Sequence, residues 1–381
     1  MPHRAVVNFL ASMAREPGLS AGDRLVAVTT PSFDIAVLEL LLPLAVGAQV
    51  ILASRDTVID GAALRALVER HAATAMQATP SGWRLLVDAG WRGGPGFKAL
   101  VGGEALPADL ARHLLERCAE VWNMYGPTET TVWSTCWRVR EGEPVSIGAP
   151  IANTTVDVLD EARRPCPIGV PGEIWIGGDG VAAGYLNRAE LTDERFVADA
   201  QRPGARLYRT GDRGRWRADG QLEHLGRLDT QVKVRGYRIE LGEIEAVLAA
   251  HAGVERAVVV LREDAPGDVR IVAYVVGVEG ATIQAPDGAA LREHLRRALP
   301  EYMVPAHFVT LAQIPLLPNG KIDRAALPHP ERDAAESDGL LPRTALEAQV
   351  LALMEEVLHL PGLGVRDGFF AVGGHSLLAA S

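Results

Sequence analysis

The grammar of this chain changes once, and that change limits what it can fold into. Up to about Arg227, short β-branched runs alternate with helical stretches, as in an α/β or mixed sheet protein. From Asp229 the order becomes helix, strand, strand, helix, the pattern of a smaller α+β domain. In the first part "VAVTT" predicts a strand. "LPADLARHLLERCAEV" predicts a helix with Pro107 in its first turn and Leu106, Leu110 and Leu114 on one face. "TTVDVLD" and "GEIWIGG" alternate with period two and predict half-buried strands. In the second part "ELGEIEAVLAAH" and "AALREHLRRAL" predict helices, the latter ended by Pro300. "RAVVVL" and "RIVAYVV" predict a hairpin across "EDAPGD". A polar, proline-bearing stretch at 328–342 predicts a linker. Beyond it, Leu346, Val350, Leu353 and Val357 are spaced for one buried helix face. The expected division is therefore 1–228, 229–327, linker 328–342 and a helical segment 343–381.

Composition removes several function classes. The 381 residues suffice for two to three domains. A net charge of −10 argues against nucleic acid, and Pro328 to Ser381 alone holds eight acids against three arginines. No run of about eighteen apolar residues is present, so no membrane span is expected. The nearest, Ile35 to Val50, is interrupted by Glu39, Pro43 and Gly47. The N-terminal apolar stretch is too short for a secretory signal. Cys118, Cys136 and Cys166 form neither a disulfide framework nor a metal spacing, which fits a reducing cytoplasm. Lysine occurs only at 98, 233 and 321, against 35 arginines, so each lysine invites the question of what arginine could not do there.

The end of the chain, "GGHSLLAAS", carries Ser376 behind a histidine and two glycines. A hydrolase nucleophile would have glycine on both sides in a strand–turn–helix elbow; Leu377 and Leu378 follow here instead. No acid is spaced to orient His375. A hydroxyl opening an apolar helix suits a serine that is modified rather than one that attacks, and an ordinary helix N-cap is the bland alternative. Six further glycine- or proline-marked strings stand in order: "NMYGPTETT" at Asn123, "GEIWIGGDGVAAGYL" at Gly172, "YRTGD" at Tyr208, "GRLDTQVKVRGYRIELGEIE" at Gly226, "LPEYMVP" at Leu299 and "NGKIDR" at Asn319. Any one is weak; the ordered set is not.

That set resembles the core motifs of nonribosomal peptide synthetase adenylation domains, adenylate-forming enzymes, and "DGFFAVGGHSL" resembles the signature of the peptidyl carrier domain that follows them. The resemblance covers essentially the whole chain. It implies a large α/β subdomain with a β-barrel-like part, a small α+β C-terminal subdomain and the front of a helical carrier. The chain departs from the family at its ends. The family's upstream phosphate loop is not in this sequence, and the carrier stops five residues after its serine. The resemblance implies ATP-dependent activation of an amino acid as aminoacyl-AMP, then transfer as a thioester to 4′-phosphopantetheine on Ser376. It further implies Mg²⁺, a phosphopantetheinyl transferase and neighbouring synthetase modules, a condensation domain among them.

Roles carried over from the family agree with the chemistry of the residues. Such activation needs positioning and charge neutralisation more than a covalent nucleophile. Lys321 is a compact cation suited to bridge a carboxylate and a phosphate oxygen. Thr128 and Glu129 would supply oxygens to phosphate and Mg²⁺, Glu129 as the metal ligand. By resemblance Gly103, Glu104, Tyr125 and Gly126 belong to the nucleotide site, with Tyr125 stacking on adenine. Asp212, assisted by Arg227, would accept the ribose hydroxyls, and Asp229 is the hinge. Glu240, Glu243 and Glu245 read as first-turn helix acids, and His224 and His251 receive no role.

The side-chain pocket, by motif alignment, is lined by Asp34, Ile35, Leu38, Gln77, Leu100, Gly102, Met124, Val132 and Trp133, with Lys321 at the carboxylate. Asp34 would pair with the substrate ammonium, and it could also N-cap the following helix. The middle positions are bulky and uncharged except Gly102, which fits glycine, then alanine. Two readings compete with amino-acid activation. One is an acyl- or aryl-acid CoA ligase of the same superfamily, which has no ammonium for Asp34. The other is an inactive fragment, for which the missing phosphate loop argues.

Overall fold

A computed structural model describes residues 1–234, 236–263, 269–278, 287–317, 322–330, 340–358 and 362–369. The chain divides into two compact units, Met1–Asp229 and Thr230–Ser381.

The first unit is built on a seven-stranded sheet. Its strands are β1 (Arg24–Ala27), β2 (Gln49–Leu52), β3 (Ala75–Ala78), β4 (Gly94–Gly102), β5 (Cys118–Tyr125), β6 (Thr135–Arg138) and β7 (Ala149–Pro150), in the order 2-1-3-4-5-6-7. The first five are parallel; β6 and β7 add antiparallel. Parallel strands need crossovers, and helices α1 (His3–Met13) to α6 (Ala108–Leu115) flank and connect them. These are α2 (Ala36–Val46), α3 (Arg55–Ile59), α4 (Gly61–Arg70) and α5 (Pro80–Asp88) between. Both sheet faces are covered, so β3 is buried throughout and there are two apolar clusters. One centres on Trp83, Trp91 and Phe97, the other on Phe9, Leu38 and Trp133. At the edge β2 leaves Leu52 exposed, and Leu44 of α2 is exposed as well.

A second, antiparallel sheet follows, from β8 (Thr154–Leu159), β9 (Gly172–Gly178), β10 (Phe196–Ala198), β11 (Arg206–Trp216) and β12 (Leu222–Arg227). The expected strands at "TTVDVLD" and "GEIWIGG" are β8 and β9. Helix α7 (Ala189–Arg195) precedes β10. Two sequence expectations need correction here. The helix expected across "LPADLARHLLERCAEV" ends at Leu115, with Pro107 as its N-cap, and Cys118 already opens β5. The strand expected at "VAVTT" ends at Ala27. In both places pairing with distant strands, which local periodicity does not contain, sets the boundary.

The second unit carries a hairpin of β13 (Gln231–Val234) and β14 (Tyr237–Glu240), helix α8 (Leu241–Ala249), then β15 (Val254–Glu263) antiparallel to β16 (Val269–Gly277). Helix α9 (Gly288–Arg296) leads to β17 (His307–Thr310), parallel to β16. Ile244 and Leu248 of α8 and Leu291 and Leu295 of α9 pack on one face of this sheet. Ile314 and Leu327 cover the other. Helix α10 (Ala345–Leu358) corrects a third expectation. Of the residues expected on one buried face, Leu346, Val350 and Leu353 are 69%, 49% and 60% exposed and Val357 is half-buried, so among the described residues nothing covers most of that face. Among the described residues no helix is long and apolar enough to cross a membrane.

Candidate active site

The carboxyl ends of β1, β3, β4 and β5 converge, and an open parallel sheet offers ligands the crevice beyond those ends. Register fixes what lines it: Gln77 of β3 lies beside Leu100 of β4, and Gly102 beside Met124 of β5. The turn after β1 brings Asp34 and Ile35 to the same end.

Ile35, Leu38, Leu100, Met124, Val132 and Trp133 belong to one buried cluster. The Trp133 indole N–H donates to Gln77 Oε1 at 2.9 Å. Gln77 Nε2 donates in turn to the Ile35 carbonyl and to Glu39 Oε1, each at 2.9 Å. A Cβ on Gly102 would stand 2.6 Å from Trp133 Cη2 and 2.7 Å from the Met124 carbonyl, so the indole edge rests against bare backbone. Residues expected from the sequence to line a pocket thus come together, with the Trp133 ring packed against Gly102. Asp34 sits at the rim, half-buried, and accepts the Thr128 hydroxyl at 2.6 Å. It does not cap α2, as it could have: Ile35 is the N-cap and no side chain bonds there. Successive turns bring Asp34 into helix-like bonding through its carbonyl, which accepts from Val37, and turn its carboxylate toward Thr128.

Glu39, in sequence only a break in an apolar run, is fully buried beneath the pocket. Its Oε2 accepts the Val28 and Thr29 backbone N–H groups at 2.8 and 2.9 Å, and its Oε1 accepts the Thr29 hydroxyl as well as Gln77. Burial pushes its carboxyl above the ordinary range against these four bonds. One signal could have found it: Ile35, Leu38, Glu39 and Leu42 follow the i, i+3, i+4, i+7 spacing of a single inward helix face.

After β5 the chain turns sharply. Pro127 leads into a 3-10 turn at Thr128–Thr130, and Thr131 and Val132 then both adopt left-handed backbone, φ 66° and 69°. Two β-branched residues in that region are strained and must be held from outside. Thr131 Oγ1 donates to the Gly180 carbonyl at 2.7 Å, Thr130 and Ser134 share a 2.6 Å hydroxyl bond, and Ser134 N–H returns to the Tyr125 carbonyl at 2.8 Å. Gly126 must be glycine in this turn, because a Cβ would lie 2.4 Å from the Val132 carbonyl. The reversal aims Trp133 back under the strand ends. Glu129 is 7% exposed and accepts the Tyr185 hydroxyl at 2.7 Å; burial and the neighbouring Tyr208 and Glu129 push the Tyr185 phenol up. Glu129 with the exposed Thr128 hydroxyl is a donor set that fits Mg²⁺, which takes one or two carboxylates and keeps several waters. Among the described residues no group of three His, Cys, Asp or Glu could hold a metal by itself.

Asp212 organises the other side. It pairs across strands with Arg227, whose Nη1 donates to Asp212 Oδ1 at 2.8 Å. The Tyr125 hydroxyl donates to Asp212 Oδ2 at 2.6 Å. Burial works against the Asp212 carboxylate, but the His224 hydrogen bond, the Arg227 charge and the Tyr125 hydroxyl outweigh it and lower its pKa. Tyr125 is pushed well above its usual value by burial and by Asp212. His224, given no role from sequence, lies 3.3 Å from Asp212 Oδ1, with its ring 5.8 Å from that of Tyr125. Arg227 also grips Asp229 with two bonds of 2.7 Å. Gly103 takes a left-handed φ of 86° beside Thr79, and Glu104 accepts the Ser81 hydroxyl at 2.9 Å. Lys321 and Ser376 lie outside the described residues.

The AMP-binding enzyme profile matches residues 1–186, and the AMP-binding enzyme C-terminal domain profile matches 243–321. The chain is 50% identical over 380 residues to a dimodular nonribosomal peptide synthase of Bacillus subtilis, covering 99% of this chain and 16% of that protein. It is 42% identical over 388 residues to tyrocidine synthase 3 of Brevibacillus parabrevis, covering 100% of this chain and 6% of that protein. It therefore spans a small part of these relatives' length. Among solved structures, a holo four-domain nonribosomal peptide synthetase bound to AMP and glycine is 44% identical, with TM-score 0.59 over 99% of this chain and 28% of that chain. A holo protein containing adenylation and PCP domains, bound to a vinylsulfonamide inhibitor, is 31% identical, with TM-score 0.75 over 95% of this chain and 60% of that one. With both profiles matched in order and the strand-end crevice built from the motif residues, this chain belongs to the AMP-binding enzymes, the adenylate-forming ligases, as an adenylation domain of the nonribosomal peptide synthetase type.

Proposed function

We propose that this adenylation domain activates glycine, with alanine as the nearest competitor. The observation that carries the reading is the Trp133 indole lying against Gly102 and pinned by Gln77, which leaves the substrate side chain almost no room. A relative of known structure bound to AMP and glycine supports it. A carboxylate oxygen of the amino acid attacks the α-phosphorus of ATP; the new O–P bond forms as the bond to pyrophosphate breaks, giving aminoacyl-AMP. Asp34 pairs with the ammonium, Lys321 bridges the carboxylate and a phosphate oxygen, and Thr128 binds phosphate. An acyl or aryl acid would bring no cation to Asp34, which favours an amino acid over the CoA-ligase alternative.

Gly103, Glu104, Tyr125 and Gly126 border the nucleotide. Asp212, held ionised by Arg227 and by its hydrogen bonds, accepts the two ribose hydroxyls. Glu129 and Thr128 would hold Mg²⁺, which would supply neutralising charge at the phosphates. Asp229 serves as the hinge for the second half-reaction. Ser376 would carry a 4′-phosphopantetheine installed by a transferase. Its thiol would supply the sulfur that takes the aminoacyl group from aminoacyl-AMP, with AMP leaving and the thiol proton lost, for use by a neighbouring condensation domain.

Pyrophosphate exchange across the twenty amino acids tests the reading. Glycine should lead and alanine follow. Preference for an aromatic or charged amino acid would overturn the pocket argument. Lys321→Ala should lower exchange by a factor of about 10²–10³, the usual loss when one donor to the developing charge is removed.

A further inference from the structure

We propose that Glu39 is a positioning residue that sets how large a side chain the amino-acid pocket admits, acting through Gln77 on Trp133. The inference rests on the amino-acid-activating reading above and adds to it a determinant that touches no substrate.

The argument is one of hydrogen-bond polarity. A carboxylate can only accept, and Glu39 already accepts from the Val28 and Thr29 backbone and the Thr29 hydroxyl. Its remaining contact is therefore with an N–H, and Gln77 must turn its amide nitrogen that way. This aims the Gln77 carbonyl to the opposite side. There it meets the Trp133 indole N–H, which can only donate. Turning the amide over would set O against O at Glu39 and N–H against N–H at Trp133. All three side chains are buried, so neither loss could be recovered from water. One amide orientation survives, and with it one position of the indole against Gly102. The same Gln77 nitrogen also holds the carbonyl of Ile35, the residue after Asp34. Glu39 thus reaches both the ammonium end and the side-chain end of the pocket through one amide.

The test replaces Glu39 by glutamine, which can donate as well as accept. One of the two acceptors that fix the Gln77 amide is then no longer obligate, leaving the Ile35 carbonyl alone to hold it and loosening Trp133. In the full-length protein, pyrophosphate exchange is measured with glycine and alanine for Glu39→Gln, Trp133→Phe and the double variant. For Glu39→Gln the alanine-to-glycine ratio of kcat/KM should rise at least about tenfold, the lower end of what one methyl group commands in a discriminating pocket. Trp133→Phe keeps a ring but removes the indole N–H. Adding Glu39→Gln to it should change the ratio no further. Thr29→Val, which removes one donor to the same carboxylate, should shift the ratio in the same direction and serves if Glu39→Gln does not fold. Equal losses for both amino acids, leaving the ratio unchanged in Glu39→Gln or Thr29→Val, would overturn the proposal while leaving glycine activation standing. A ratio effect that persists in full on the Trp133→Phe background would overturn the route through Trp133. Wild-type protein that activates neither amino acid would instead sink the substrate reading itself.

Discussion

Thr128 donates its hydroxyl to Asp34 across 2.6 Å, although 94 residues separate them in sequence. The side chain proposed to bind phosphate and the one proposed to bind the substrate ammonium are therefore hydrogen-bonded to each other. On the proposed roles, an ammonium at Asp34 would compete with that hydroxyl and free it for the phosphates.

Thr128→Val separates the two effects. Loss of the phosphate contact should lower kcat by about 10²-fold. The KM for the amino acid should fall, because Asp34 no longer gives up a hydrogen bond to bind the ammonium. Steady-state exchange kinetics read both, and a rise in KM would show that the hydroxyl supports substrate binding instead of opposing it.

Gly102→Ala should destabilise the protein by about 1–3 kcal/mol, the usual cost of overpacking. The added methyl meets the Trp133 ring and a main-chain carbonyl, and the carbonyl cannot rotate away. Thermal unfolding checks it. An unchanged Tm would mean that Trp133 is not seated against this strand.

The Tyr125–Asp212 pair sets opposite limbs of the pH–stability curve. The raised Tyr125 pKa contributes stability that is complete below the ordinary tyrosine value, about 10, and lost as pH rises beyond it. The lowered Asp212 pKa contributes stability present above the ordinary carboxylate value, about 4, and lost as pH falls through the folded value. Tyr125→Phe should cost about 1.5–3 kcal/mol at neutral pH, as a hydrogen bond to a charged group does, and flatten the alkaline limb. Asp212→Asn should flatten the acid limb. Urea unfolding as a function of pH distinguishes the two.

Asp229→Ala should change global stability by less than about 1 kcal/mol, since its pair with Arg227 is partly solvated. Arg227 retains Asp212 and the Thr210 carbonyl, so adenylate formation should persist. Thioester formation should respond if this residue is the hinge. Single-turnover assays of the two half-reactions are decisive, and an equal effect on both would remove the hinge assignment.

Local pattern was legible where one face of an element alone decides its burial. The strand Gly172–Gly178 was placed by its alternation but is not half-buried as expected: Ile174 and Ile176 enter one apolar cluster and Trp175 another, so both faces are covered. Leu110 and Leu114 could be read from helical spacing. The same periodicity carried the helix too far, into Cys118–Tyr125, because nothing local announces that this segment pairs with Gly94–Gly102. On the helix Ala345–Leu358 it found an apolar stripe and could not say what covers it. That Ile35, Leu38, Leu100, Met124, Val132 and Trp133 gather in one cluster agrees with the motif alignment, but the hydrogen-bond polarity around Gln77 was not readable. Glu39 and His224 look ordinary in sequence and acquire meaning only through Gln77 and Asp212. Lys98, one of three lysines, shows the converse. Its ammonium gathers the Pro17 and Gly18 carbonyls at the end of the first helical segment, a point-like contact that a planar guanidinium would make less well.

The left-handed backbone at Val132 has an evolutionary corollary. A β-branched residue there stores about 1–2 kcal/mol of strain that glycine, and in part asparagine, would relieve. Yet Val132 is also a wall of the proposed substrate pocket, in one buried cluster with Trp133, so the substitutions that relax the turn are the ones that would open space beside that ring. Selection for robustness and selection for selectivity pull this position in opposite directions. A lineage drifting toward sturdier variants would reach broader substrate tolerance without any pressure to acquire it.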